Sequence, residues 1–369
     1  MTSENATKYG RLDPMLAAIE ALVRCESPSD DLAACKNVVQ LASDIATRVL
    51  GTPAQIKEVE GRPVFWWGSE TPEVLILAHL DTVWPHGSYS PLWEISGDVV
   101  RGPGVFDMKA GFVQALYALK GIEKVENSVA LIATTDEETG SFASRALIKD
   151  LSSKSKAVLV LEASLDGKVK TGRKGTAMYK IAIHGLASHA GLEPEKGINA
   201  TTEIAHIVLG LSSLENSKYG TTVVPTLMNS GNSANTVPDL AVLEIDARSF
   251  EESELKRVDA AIKSLKPKLE GARIEVTGGL NRPPLAPSST SALYQRIEKV
   301  AKEIGMAPLG SAEVGGASDG NFAAAAGAQV LDGLGAVGGG AHAANEWVSL
   351  KTIEERSALL HAFIKDLLK

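Results

Sequence analysis

Cysteine is nearly absent: Cys25 and Cys35 are the only two in 369 residues. A disulfide framework is thereby excluded, and two reduced, buried small side chains suit a cytoplasmic protein. Long apolar runs are missing too, none approaching the roughly 18 residues that a membrane span needs. The opening segment MTSENATKYGRLDP carries no apolar stretch of the kind a secretory leader has, so a cytoplasmic location is expected. Positive charge is scarce and unclustered, with 37 Lys+Arg against 45 Asp+Glu and a formal net charge of −8. Neither nucleic acid nor an anionic membrane surface is therefore an expected partner. Internal repeats and low-complexity runs are absent, although residues 323–343 are locally rich in Gly and Ala. What is present is ordinary globular composition, 44% hydrophobic and 22% charged, in a chain long enough for two domains.

Residues 12–25 and 33–49 carry apolar side chains at helical spacing. Three short, almost continuous apolar runs follow: VLILAHL at 74–80, SVALIATT at 128–135 and AVLVLEA at 157–163. Runs of this length, rich in Val, Ile and Leu, predict strands buried on both faces, as in a parallel sheet covered by helices. MKAGFVQALYALKGI (108–122) lies between the first two as an amphipathic crossover helix ending at Gly121. An α/β, αβα layout is expected. After Gly172 the pattern changes to alternation. Strands are predicted at 178–185, 221–229, 240–248 and 272–278, and helices at 198–214 and 252–269. Strand, helix, two strands, helix, strand is the ferredoxin-like order. The proline-rich stretch 281–290 reads as a boundary. Helices at 291–304 and 351–368 return to the first style.

Polar residues gather where the buried runs end: His79 and Asp81, Asp107, the run Asp136-Glu137-Glu138, Glu162, and His342 in a Gly/Ala loop. In open α/β sheets the crevice beyond the carboxyl ends of the strands is where ligands bind. Carboxylates collected there repel one another unless a cation sits among them, and two imidazoles with several carboxylates suit Zn²⁺ or a similar divalent metal. Each residue alone also has a plainer reading. His79 reads as a hydrogen-bonded core histidine, Asp107 as the cap of the helix starting at Met108, and the acidic run as a solvated turn. His342 alone is uninformative. Joint occurrence at strand ends favours the metal site.

The segments HLDTVWPHG, RGPGVFDMKAG, TTDEETGSFASR, GLASHAG, GNSANTVP with DAR, GGASDG and GGAHAANEWV resemble metallopeptidase family 20. That family includes glutamate carboxypeptidases, aminoacylases, acetylornithine deacetylases, succinyl-diaminopimelate desuccinylases and di- and tripeptidases. The resemblance runs over residues 12 to 368, and DEETGSFASRALI with VLEAS places it nearest the glutamate carboxypeptidases. Ala163 departs from the proline that relatives often carry after the glutamate, which bears only on loop geometry. The resemblance implies two Zn²⁺ per chain, with Co²⁺ or Mn²⁺ as alternatives. By it Asp107 bridges the ions, His79 and Glu162 serve one, and Glu138 and His342 the other. It further implies Glu137 as general base, Asp81 as the partner of the second His79 ring nitrogen, and a cis peptide between Asp107 and Met108.

The 180 positions between Glu162 and His342 call for an insertion that leaves the sheet and returns. Residues 175–283 supply it, leaving 1–174 and 284–369 as the zinc-binding catalytic domain. In relatives the inserted part is a dimerisation and lid domain, so a homodimer is implied. By the same resemblance His189 reaches the partner's cleft as an oxyanion donor, and Asn235, Arg248 and Arg282 bind substrate. As isolated residues the two arginines read as surface salt-bridging, and His189 as an ordinary surface histidine. The implied substrate is a dipeptide or N-acyl amino acid that loses its C-terminal, glutamate-like residue. Glu162 favours this, since aminopeptidase and dipeptidase relatives tend to carry aspartate there. The rival is an N-deacylase acting on an acetylornithine- or succinyl-diaminopimelate-type intermediate. A non-catalytic homologue is disfavoured, because no ligand or base is missing.

Overall fold

The structure, a computed structural model, describes residues 12–369. Residues 1–11, which the sequence pattern assigns to the first domain, lie outside the described residues. Two compact units are present among the described residues, one of residues 12–172, 286–314 and 318–369, the other of residues 173–285 and 315–317.

The first unit opens with α1 (Leu12–Arg24), whose Met15, Ile19, Leu22 and Val23 are buried. α2 (Leu32–Leu50) starts at Asp31, whose carboxylate accepts the Ala33 and Ala34 amides, and stops at Gly51. A hairpin follows, β1 (Gln55–Val59) and β2 (Arg62–Gly68), turned by Glu60 and Gly61 with φ of 49° and 80°. Two successive positive φ values are the type I′ geometry that matches strand twist. Then come β3 (Val74–His79), α3 (Ala110–Leu119), β4 (Val129–Thr134), α4 (Arg145–Lys154) and β5 (Ala157–Val160). The sheet order is β1-β2-β4-β3-β5 followed by Val330–Leu331. β3 runs parallel to β4 and β5, and Val330–Leu331 parallel to β5, while the hairpin is antiparallel. Every residue of β3, β4 and β5 is buried, as strands covered on both faces must be. The sheet is mixed but mostly parallel. α3 begins at Ala110, two residues later than Met108, so Asp107 does not cap it.

The second unit contains β6 (Gly175–His184), α5 (Ala200–Leu211), β7 (Thr222–Ser230), β8 (Leu240–Ser249), α6 (Glu252–Lys263) and β9 (Arg273–Arg282). Its sheet order β7-β8-β6-β9, antiparallel throughout, is the ferredoxin-like topology. One face buries Tyr179, Ile181, Ile183, Leu243 and Ile245 under the helices. α6 ends at Lys263, short of the predicted 269. Pro267 has no N–H and disfavours helix in the residue before it. The freed amides of Lys268 and Leu269 are taken instead by the buried Glu203 carboxylate at 2.7–3.1 Å. Residues 315–317 join this unit because Arg173 and Arg248 hold their carbonyls, Arg173 Nη1 donating to Gly316 O at 3.0 Å and Arg248 Nη1 to Gly315 O at 3.2 Å. Among the described residues no helix is long and apolar enough to cross a membrane.

Candidate metal centre

Strand register delivers the first ligand candidates together. His79 lies beside Thr134 and Leu77 beside Val160, so β3, β4 and β5 end at nearly the same level. His79 terminates β3, the 136–138 turn follows β4, and Glu162 follows β5. Gly335 permits the last of these. A Cβ there would sit 2.2 Å from the Leu161 carbonyl oxygen, and its amide donates to Glu162 O at 2.9 Å.

His79 is 1% exposed. Its Nδ1 lies 3.1 Å from the Asp81 main-chain oxygen and 3.5 Å from Asp81 Oδ1. The carbonyl, rather than the carboxylate, is therefore the nearer partner. A carbonyl only accepts, so Nδ1 carries a proton, and Nε2 is the nitrogen turned toward the carboxylates. That Nε2 faces Asp107 Oδ1 at 3.1 Å and Glu162 Oε1 at 3.7 Å. The two Asp81 carboxylate oxygens divide: Oδ1 stays beside His79 Nδ1, whereas Oδ2 accepts Ser29 Oγ–H at 2.7 Å and the Glu138 amide at 3.2 Å. Asp81 thus steers His79 through its carbonyl and pins the main chain of Glu138 through its side chain.

His342 sits in the left-handed region, φ 60°. Its Nε2 lies 3.4 Å from Asp107 Oδ2 and 3.0 Å from Glu138 Oε2. Asp107 therefore presents one oxygen to each histidine. The peptide after it is cis, in agreement with the resemblance. Glu137, 8% exposed, gathers with His79 and Glu162, and Glu138 with His79 and Asp107, each set holding its ligand atoms within 4.8 Å of one another. The turn that separates the two glutamates is braced by Asp136 Oδ2, which accepts the Ala143 and Ser144 amides at 2.8 and 3.2 Å.

The donor set fits a divalent cation. Ligand atoms around tetrahedral zinc, each about 2.0–2.1 Å from it, stand about 3.3 Å apart; the nitrogen-to-oxygen separations here run from 3.0 to 3.7 Å. The electrostatics agree. Burial, with the Asp107 charge beside it, pushes the Glu138 carboxyl up to about 7 against the opposing pull of His342. Hydrogen bonds to Asp107 and Glu138 drive the His342 imidazole up to about 10. Protons on the imidazoles and metal ions are competing ways of supplying the positive charge these carboxylates demand.

The remaining predicted residues belong to the second unit. His189 and Asn235 are neighbours: His189 pairs with Thr236, and the Ala190 amide donates to Asn235 O at 2.9 Å. Both are exposed, His189 Nδ1 accepting the Gly191 and Leu192 amides and Asn235 Oδ1 the Ser233 hydroxyl. Arg248 and Arg282 lie at the other end of the sheet, flanking Thr176 on adjacent strands. Arg248 already grips Asp246 bidentately, Nε to Oδ1 and Nη2 to Oδ2 at 2.8 Å each, while Arg282 is buried. Sequence inspection missed two buried carboxylates. Asp319 accepts the Ser141 hydroxyl beyond the acidic turn, and Glu346 touches the Asp107 segment. Both lie inside segments the resemblance rests on, Asp319 as the aspartate of GGASDG and Glu346 as the glutamate of GGAHAANEWV, but no spacing singles them out.

Residues 75–366 match the family described as Peptidase family M20/M25/M40. Carboxypeptidase G2 of Pseudomonas sp. (strain RS-16) is 32% identical over 309 residues, 80% of this chain and 74% of that protein. Succinyl-diaminopimelate desuccinylase of Wolinella succinogenes is 26% identical over 307 residues, 77% of this chain and 82% of that protein. Among solved structures, the M20 family metallo-carboxypeptidase Sso-CP2 from Sulfolobus solfataricus shares the fold with a TM-score of 0.74 at 18% identity, over 95% of this chain and 98% of that one.

Proposed function

As a member of peptidase family M20/M25/M40 the chain is a metallopeptidase, and we propose that it hydrolyses dipeptides or N-acyl amino acids with a free α-carboxylate, releasing a C-terminal, glutamate-like residue. The observation that carries this reading is the division of the Asp107 oxygens between His79 and His342. A carboxylate so placed suits two ions. His79 and Glu162 would hold one and Glu138 and His342 the other, with Zn²⁺ the natural choice for imidazole and carboxylate donors and Co²⁺ or Mn²⁺ as substitutes. When bound, such ions supply Lewis acidity at the scissile carbonyl and lower the pKa of water. Glu137 takes the proton of the attacking water on its carboxylate and returns it to the leaving amine. The 32% likeness to a carboxypeptidase supports the substrate class; the likeness to desuccinylases supports N-deacylation as the second reading.

A homodimer formed through the second unit is part of the same proposal. β7 is an edge strand, and it carries Leu227 and Met228 at 60% and 57% exposure, while α5, which packs against it, exposes Leu209. Apolar side chains along an open edge are what a second copy would cover.

Two tests arise at once. Metal analysis of purified protein should find up to two ions per chain, and exhaustive chelation should abolish turnover of a panel of acyl-glutamates, acyl-aspartates, N-acetylornithine and plain dipeptides. Full activity after chelation would remove the metal from the reaction, whereas turnover of N-acetylornithine alone would move the enzyme to the deacylases. Arg248→Lys should lower kcat/KM about 10–100-fold on substrates with a free α-carboxylate, the worth of one charged hydrogen bond. An equal loss on an amidated analogue would make the Arg248–Asp246 pair purely structural.

A further inference from the structure

Glu346 is fully buried; the buried Lys109 charge acts on it from a distance, but no cationic side chain among the described residues forms an ion pair with its carboxylate. Its partners are N–H groups. Oε1 accepts the amides of Phe106 at 2.9 Å and Asp107 at 3.1 Å; Oε2 accepts the Gly104 amide at 3.0 Å and Trp84 Nε1–H at 3.2 Å. Three amides within four residues converge on one carboxylate, an anion-binding concavity filled by the protein's own side chain. Gly104 makes this convergence feasible: its φ is 68°, and a Cβ there would stand 2.5 Å from Thr82 Cγ2. Burying a carboxylate is costly unless its oxygens are satisfied, and charged hydrogen bonds are the strong ones. The cost is met where the amide of Asp107 itself is the last donor.

We propose that Glu346 is a positioning residue of the metal centre, clamping the main chain at Asp107 so that its two carboxylate oxygens are held toward different histidines. The clamp and one of those histidines share a segment. Tight turns join them, the Ala343 amide donating to Gly340 O and the Glu346 amide to Ala343 O, both at 2.9 Å. His342 and the fixed main chain of Asp107 are thus set by the same short piece of chain. A displacement of 342–346 moves both ends of the contact between His342 and Asp107 together. A structural anchor elsewhere in the fold would lack this coupling. Outer groups of this kind typically change metal affinity about 10–100-fold when replaced.

The test is zinc affinity, read by competition with a chromophoric chelator on chains confirmed as folded by near-ultraviolet circular dichroism. E346Q keeps the size but turns an NH₂ donor toward N–H donors; E346D keeps charge and acceptors but withdraws them by one methylene. E346Q should bind zinc about 10–100-fold more weakly than wild type, with E346D between the two. The thermal midpoint of each variant in excess chelator separates this from lost stability, since an anchor that only stabilises would lower that midpoint and leave zinc affinity unchanged. Wild-type affinity in both folded variants overturns the clamp. If E346Q does not fold, E346D decides by the same criterion. The inference rests on the metal-centre reading. Failure of the wild-type chain to take up zinc would sink both, whereas tight binding by wild type and variants alike would sink only the clamp.

Discussion

Glu137→Gln is expected to lower turnover by about 10²–10⁴-fold, the usual worth of a general acid–base group, while zinc content stays that of the wild type. The expectation follows from how the 136–138 turn splits two adjacent carboxylates. Glu138 meets His342 at 3.0 Å, which engages it as a ligand candidate. Glu137 gathers with His79 and Glu162, beside one proposed ion rather than in contact with His342. Glutamine preserves volume and removes only the proton acceptor. Metal analysis beside steady-state kinetics is the measurement. Loss of zinc from the variant would reverse the roles assigned to the two glutamates.

His189→Ala should cost about 10²–10³-fold in kcat, as removal of an oxyanion donor does. Mixing it with Glu137→Ala chains should then restore activity after subunit exchange. The second unit itself supplies the reason to look in trans. His189 and Asn235 stand beyond the end of the sheet where His184 pairs with Leu240, and Arg248 and Arg282 flank Thr176 at the opposite end. Eight residues of extended strand separate those ends, about 27 Å. One small substrate cannot touch both pairs of the same second unit, so the proposal that all four residues serve one substrate requires two copies. Recovery of turnover on mixing, read against each variant alone, is the expected outcome. A mixture as inactive as its components would confine His189 to its own chain or to no catalytic role.

Much of this was legible in residue pattern. The runs ending at His79, Thr134 and Val160 are short, apolar and β-branched, and nothing but a doubly covered sheet absorbs them. Alternation along Gly175–His184 and Leu240–Ser249 likewise follows from one buried face. Where reading by pattern fell short, a non-local partner was deciding. The hairpin Gln55–Gly68 escaped notice because its order comes from pairing with β4 more than from its own alternation. The helix predicted over 252–269 overran because Glu203, 65 residues from Lys268 in sequence, takes the amides that a longer helix would have used. At the site, the types and order of His79, Asp107, Glu138 and Glu162 were readable. That the Asp81 carbonyl, and not its carboxylate, is nearest His79, or that Asp246 occupies the fork of Arg248, depends on rotamers no spacing encodes.

The pairing of Val330–Leu331 with β5 has a consequence for synthesis. Translation delivers β5 long before its outer neighbour, with the whole second unit emerging in between. That unit itself closes late, because β9 pairs with β6, Arg273 beside His184 and Arg282 beside Thr176. Throughout this interval β5, four apolar residues long, borders the nascent sheet with unmet hydrogen-bonding groups. His342 arrives later still, so the candidate metal centre is incomplete throughout this interval. From the emergence of β5 until residue 330 has left the ribosome, this open edge is therefore where a growing chain is exposed to strand addition by another molecule.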